Sequence, residues 1–191
     1  MAIFLISDTH FGHEKIIQYC DRPFDSASQM DECIFDNWAA SVSPSDTVYH
    51  LGDVCFGRAE QVTRTVQRIK ALPGKKYLVP GNHDTWHPEI LAEAFEEVLP
   101  PIFETVLVGD SKKYRTVLSH YPLQVWNGIY RGAIQLFGHV HGRIPGNSLQ
   151  MDVGVDFWGF SPVRLETVVG RLKSLPKYAS PEVRPGWEDE E

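Results

Sequence analysis

The feature that most constrains this chain is a repeated pairing of an apolar run with a polar stop. AIFLIS ends at Asp8-Thr9-His10, TVYHL at Gly52-Asp53 and KKYLVP at Gly81-Asn82-His83-Asp84. YRTVLS ends at His120, and AIQLF at Gly138-His139-Val140-His141. Short apolar runs bounded by turn residues read as buried strands. In open α/β sheets the ligand crevice lies at the carboxyl ends of the strands. Stops that are far apart in sequence can therefore meet in space, and the chain is expected to fold as a layered α/β domain.

The segments between the early strands are helical in pattern. HEKIIQYC reads as a helical turn. SQMDECIFDNWAAS places Met30, Cys33, Ile34 and Trp38 on one face, with Ser28 as its N-cap. RAEQVTRTVQRIKAL places Val62, Val66 and Ile69 on one face and stops at Pro73-Gly74. HPEILAEAFEEVL reads as a further helix with Pro88 at its start. Strands dominate the second half. PIFETVLVGDSKKYRTVLSH is a hairpin turning at Gly109-Asp110-Ser111, and SLQMDVGVDFW alternates as another strand. SPVRLETVVGRLKSL reads as a closing helix capped by Ser161, with Pro162 at its first position. Parallel βαβ units should cross over right-handed. One domain is expected over residues 1–176, followed by an acidic, flexible tail at 177–191.

Composition excludes several classes. No apolar run reaches the ~18 residues of a membrane span. The start, MAIFLISDTH, has neither a basic leader nor a cleavage site. Cys20, Cys33 and Cys55 are odd in number and form no CxxC, so a disulfide framework is not expected and a cytoplasmic location is. A net charge of −7 argues against a protein that grips long nucleic acid by its phosphates.

The polar stops supply Asp, Asn and His but no thiolate. Mixed oxygen and imidazole ligands suit Mn, Fe, Zn, Ni or Co better than Ca. Seven such groups exceed what one ion with open positions needs. They suit two ions about 3.5–4 Å apart sharing a carboxylate. Asp8 and His10, like His139 and His141, would point the same way if their segments stay extended. Glycines on either side of HVH leave room for close approach.

Taken together, these blocks resemble the calcineurin-like metallophosphoesterase superfamily, whose pattern is D-x-H, G-D, G-N-H-D, a lone H, and G-H-x-H. All five stand here in that order, from Asp8 to His141. DTHFGHEKII, DRPF and DTVYHLGDV resemble its small bacterial and phage members. The resemblance implies a four-layer α/β/β/α sandwich with a dimetal site at the strand C-terminal ends. It implies that Asp8, His10 and His141 hold one ion, that Asn82, His120 and His139 hold the other, and that Asp53 bridges. His83 would be the general acid, with Asp84 orienting its ring. The implied cofactors are two divalent ions, manganese first, with Fe, Zn, Ni, Co or Mg as alternatives. The implied activity is hydrolysis of a small phosphodiester, such as a 2′,3′-cyclic nucleotide, or of a phosphomonoester, by in-line attack of a metal-bridging hydroxide. A nuclease acting on single strands is the competing enzyme reading. A catalytically idle scaffold of the same fold is the competing non-enzyme reading, and the complete set of ligand positions argues against it. Outside the blocks, His13 and Arg143 are candidate substrate contacts because they follow the motifs closely. His50, inside its strand, reads as a buried, hydrogen-bonded histidine, and Cys55 as a small buried hydrophobe. Arg22, Arg58 and Arg131 read as solvated arginines, and Tyr121 and Trp126 as core aromatics.

Overall fold

The apolar runs do form strands. A computed structural model of the protein describes residues 1–179. In chain order the elements are β1 (Ile3–Ile6), α1 (Glu14–Tyr19), α2 (Ala27–Ser41), β2 (Thr47–His50), α3 (Ala59–Ala71), β3 (Lys75–Leu78), α4 (Pro88–Ala92) and β4 (Glu97–Val98). There follow β5 (Ile102–Val108), β6 (Lys113–Ser119), a 3-10 turn at Ile129–Arg131, β7 (Ile134–Phe137), β8 (Gln150–Asp152), β9 (Val163–Arg164) and α5 (Leu165–Leu172). Of the proposed tail, residues 180–191 lie outside the described residues.

Two sheets result, in the orders β4-β3-β2-β1-β9 and β5-β6-β7-β8. β1 to β4 are parallel, and β9 is antiparallel to β1. In the second sheet β5 and β6 form the expected antiparallel hairpin, while β6, β7 and β8 are parallel. Strand side chains alternate between faces. Phe4, Ile6, Val48 and Leu78 accordingly pack on Met30, Ile34, Trp38, Val62, Val66 and Ile69 of α2 and α3. Leu5, Leu51 and Val79 turn the other way and meet Leu118, Leu136 and Met151 of the second sheet. α5 adds Leu165, Val168, Val169 and Leu172 to this inter-sheet core. The outer face of the second sheet carries a thin layer, in which Val117 packs against Trp126, Ile129 and Ala133 around the 3-10 turn. The result is a mixed α/β fold with two sheets flanked by helices, as the motif pattern implies.

The sequence reading misplaces three boundaries. The N-cap of α2 is Ser26, whose Oγ accepts the Gln29 N–H at 3.2 Å, rather than Ser28. The helix after Pro88 stops at Ala92 instead of running to Leu99. Glu96 N–H donates to Lys76 O and Leu99 N–H to Leu78 O, so pairing with the open edge of β3 overrides helix propensity. Likewise Val163–Arg164 pair with β1, and α5 starts one turn later with Arg164 as its N-cap. Ser161 Oγ lies 3.3 Å from Ser41 Oγ instead.

One carboxylate in the helical layer makes stability depend on pH. Both Asp31 oxygens accept the Gly12 N–H, at 3.1 and 3.0 Å. Burial raises its pKa to about 6, with the Gly12 bond and Arg68 opposing and Glu32 and Glu14 adding to the rise. The folded state thus holds this proton more tightly than the unfolded chain, whose carboxyl titrates near 3.8. Stability is therefore lost as pH rises between those two values and is flat above them. Asp31→Asn keeps an oxygen for Gly12 and removes the buried charge. It is expected to be about 1 kcal/mol more stable than wild type at pH 8, with the gap closing towards pH 4. Thermal melts of both proteins across that range measure it, and a gap that is constant with pH would refute it.

Candidate metal centre

The loops that leave the strands stay in step beyond the sheet. Asp8 N–H donates to Gly52 O, His10 N–H to Asp53 O and Phe11 N–H to Val54 O, each at 3.0 Å. The Gly52 and Gly81 backbones lie so close that a Cβ on either would overlap the other loop: on Gly52 it would meet Gly81 Cα at 2.6 Å, and on Gly81 it would meet Asp53 N at 2.6 Å. Gly138 is a third close approach. A Cβ there would strike Ser7 and Asp8, and its absence lets His139 N–H donate to both Asp8 oxygens, at 3.0 and 2.9 Å.

The extended geometry expected for DTH and HVH is not what forms. Asp8, His10, Asp53, His139 and His141 are all left-handed, with φ between 48° and 70°. Only two other non-glycine residues among those described, Asp21 and Phe160, have positive φ. Left-handed backbone costs L-residues energy, although Asp and His tolerate it better than most, and such strain gathers at functional sites. Side chains spaced i, i+2 are here turned inward by local coiling rather than by strand alternation.

These turns bring the residues of the five blocks together. Asp8, His10 and His141 offer ligand atoms within 4.8 Å of one another, and so do Asp53, His120 and His139. Asp53, a member of the second group, also reaches the first: its Oδ2 lies 3.5 Å from His10 Nε2 and 3.4 Å from His120 Nε2. Asn82 Oδ1 lies 3.1 Å from His120 Nε2. His83 Nε2 lies 4.0 Å from Asp53 Oδ2, and the His83 N–H donates to Asp53 Oδ1 at 2.9 Å. Asp8, His10, Asp53 and His120 are buried, whereas Asn82 and His139 lie on the open side.

Hydrogen bonding shows what these atoms lack. His120 Nδ1 lies 2.7 Å from the Leu51 carbonyl, which can only accept, so Nδ1 carries hydrogen. Nε2 then faces Asn82 Oδ1 and Asp53 Oδ2, and although burial opposes it, Asp53 and Asp8 raise the His120 pKa, so positive charge is favoured at this convergence, as a proton on Nε2 or a metal in its place. His141 repeats the arrangement, with Nδ1 2.7 Å from Asp156 Oδ2 and Nε2 directed at Asp8 Oδ1, 4.0 Å away. A carboxylate behind an imidazole fixes its tautomer and frees the other nitrogen for a metal. Both nitrogens of the buried His10 lack a hydrogen-bond partner. Burial holds the His10 pKa well below its ordinary value, so the ring is neutral and able to ligate. Burial also drives the Asp8 carboxyl up to about 7, against the pull of His120 and His141. Asp53 shifts the other way: burial alone would raise it, but His120, then His10 and the His83 N–H, hold it low. A carboxylate raised by burial, a neutral orphaned imidazole and converging lone pairs together fit a divalent cation site.

A family model of the calcineurin-like phosphoesterases matches residues 1–170. The chain belongs to that family. Uncharacterized protein MJ1445 of Methanocaldococcus jannaschii is 29% identical over 174 residues, covering 87% of this chain and 89% of its own length. Gene 66 protein of Mycobacterium phage L5 is 28% identical over 178 residues, covering 80% of this chain and 86% of its own. Among solved structures, the protein of unknown function AQ665 from Aquifex aeolicus is 28% identical with a TM-score of 0.69, covering 90% of this chain and 98% of that one. No helix among the described residues of this phosphoesterase is long and apolar enough to cross a membrane.

Other residues of the phosphoesterase take different places from those read in the sequence. The Asp84 carboxylate is engaged by backbone amides. Its oxygens accept the N–H groups of Asp53, Val54 and Gly81 at 2.8, 2.9 and 2.7 Å, so it ties the GD loop to the GNHD loop. Arg143 donates to the Tyr19 carbonyl at the end of α1 and to Cys20 Sγ, which adjoins His141 and Asp156, so its guanidinium is engaged by the α1 end. His13 does lie beside the centre, its ring 5.4 Å from that of His10 and 4.4 Å from Phe56. His50 is buried as expected. Nδ1 accepts Gly52 N–H at 3.2 Å, so Nε2–H donates to Thr9 Oγ1 at 3.0 Å. Cys55 is buried, and burial pushes its thiol up to about 12. Trp126 is core, with Nε1 donating to Ala133 O at 3.0 Å. Tyr121 is instead exposed at the rim, its OH 3.3 Å from Asn82 Oδ1 and its ring 4.5 Å from that of His139.

Three residues that support the centre were not legible as such in the sequence. Arg22 is buried rather than solvated. It forms a bidentate pair with Asp156, 2.8 Å on each arm, and donates to the Asp8 and Thr9 carbonyls at 2.8 and 3.2 Å. Asp156 therefore links Arg22 to His141. Asp152, also buried, accepts Gly142 N–H and Gly154 N–H, each at 2.7 Å, and so fixes the loop after HVH. The signal for both acids was present: QMDVGVDFW is a sixth apolar run with polar stops.

Proposed function

We propose that this phosphoesterase hydrolyses small phosphodiesters with the help of two divalent ions, manganese first among them, with 2′,3′-cyclic nucleotides as the leading substrate class. The observation that carries this reading is the two adjoining three-residue ligand groups, Asp8, His10 and His141 and Asp53, His120 and His139, with His83 standing half exposed beside Asp53. Asp8, His10 and His141 would hold one ion, Asn82, His120 and His139 the other, and Asp53 both. Bound there, the ions would neutralise phosphoryl charge and make a water molecule acidic near neutral pH.

The chain supplies the rest. Asp156 and the Leu51 carbonyl keep His141 and His120 in the tautomers that leave Nε2 free. The His83 backbone is pinned to Asp53, and its partly exposed ring lines the open cleft beside the centre, within reach of a bound phosphoester. As the water oxygen bonds to phosphorus and the opposite P–O bond breaks, the proton on His83 passes to the leaving oxygen.

The test uses bis-p-nitrophenyl phosphate and p-nitrophenyl phosphate with protein stripped of metal and reloaded with Mn²⁺. Turnover is expected only after reloading, faster on the diester, and slowed about 10²-fold or more in His83→Ala. Turnover by the stripped protein, or none of either ester with two ions bound, would sink the reading. A tenfold or larger preference for the monoester, on the order of one general-acid step, would sink the diester assignment alone.

A further inference from the structure

A cleft with a volume of about 500 Å³ opens beside His83. That is within the range of small-ligand sites, roughly 300–1,000 Å³. Its walls are mostly apolar and include Phe56, Trp86 and Leu91, with Lys15 and Arg58 also on its lining. We infer that this cleft is the leaving-group pocket and takes the nucleobase of a mononucleotide-sized substrate, packed against the aromatic wall that Phe56 and Trp86 form together. The inference rests on the phosphoesterase reading above and adds what the enzyme recognises beyond phosphate.

Three observations carry it. His83 belongs both to the metal centre and to the cleft wall, so a group whose oxygen receives the His83 proton must project into this space. The Phe56 ring is held from behind by His13, stacked at 4.4 Å and 21°, and presents a fixed flat surface. Trp86 lies beside Phe56 on the same lining, with ring centroids 5.8 Å apart and a tilt of 52°, and it remains 66% exposed. An indole left in water on the rim of an apolar cleft gains by closing over a flat partner. Every nucleobase has such a face, and stacking does not depend on its identity.

The test measures binding, by isothermal titration of adenosine monophosphate, ribose 5-phosphate and inorganic phosphate into metal-loaded wild type, Trp86→Ala and Phe56→Leu. In wild type the nucleotide is expected to bind at least about tenfold more tightly than ribose 5-phosphate. That ratio should fall below about threefold in at least one variant, with the affinity for inorganic phosphate unchanged. A wild-type ratio below about threefold, or a ratio that survives both substitutions, overturns the inference. So does the absence of nucleotide binding up to about 10 mM. Failure of the phosphoesterase reading shows separately, as no turnover of either nitrophenyl ester by the same preparation. A failed pocket leaves that turnover intact.

Discussion

Arg22→Ala is expected to destabilise the folded protein by about 3–5 kcal/mol, because removing one partner of a buried pair leaves the other charge uncompensated. The Arg22 side chain is fully buried and Asp156 nearly so. Its loss would leave the Asp156 carboxylate facing only His141, and two backbone carbonyls, those of Asp8 and Thr9, without donors. Arg22→Lys should rescue little, since an ammonium cannot reproduce two parallel bonds to a carboxylate. The damage should extend to the metal centre, because the same carboxylate holds His141 in its tautomer. Urea denaturation of wild type and both variants gives the stability change. Metal titration of whatever folds gives the coupling. A loss under about 1 kcal/mol, the size expected of a surface pair, would show that the guanidinium is not buried in solution.

Gly81→Ala should be comparably severe for a different reason. The added methyl would overlap Asp53 Oδ1 and approach His120 Cε1 at 2.9 Å, and the backbone offers it no free volume. Overpacking typically costs about 1–3 kcal/mol, and a clash with backbone belongs at the top of that range. For a chain of this size that corresponds to a melting temperature lower by about 6–12 °C. The displaced carboxylate is the one that reaches both ligand groups, so ion binding and hydrolysis should fall together to background. Gly170→Ala in α5 is the matched control. Its Cβ meets nothing within 4 Å, and helix propensity should make it neutral or about 0.5–1 kcal/mol more stable. Calorimetry of the two variants beside wild type decides it, and a Gly81→Ala protein that melts with wild type would overturn the packing argument.

The centre could be read from sequence because strand ends carry their function in residue types that strands otherwise avoid. Asp, Asn and His after an apolar run have no packing reason to be there, so the five stops stood out. What could not be read is the backbone that aims them. Nothing in the letters DTH says that Asp8 and His10 coil left-handed, and strand alternation was the natural but wrong inference. Arg22 failed for a similar reason. Its partner Asp156 lies 134 residues away, and only the fold joins them. β4 and β9, two residues each, are strands only because an open sheet edge sits beside them. No local pattern of that length can compete with the helical periodicity around it. The backbone bonds of Asp84 were equally invisible, since the letters GNHD do not say that a carboxylate beside a histidine serves the amides of a neighbouring loop.

The left-handed backbone at Asp8, His10, Asp53, His139 and His141 also limits what the site can become. A ligand exchange that coordination chemistry alone would allow must first be acceptable to the main chain. Short Asp, Asn and His side chains visit this conformation several times more readily than other non-glycine residues. Glutamate reaches the same metals and cysteine binds zinc more strongly, yet both would have to be installed where the backbone resists them. Retuning this centre towards softer ions is therefore a problem of main-chain conformation before it is one of ligand choice. The unstrained positions, Asn82 and His120, are where such changes have room to begin.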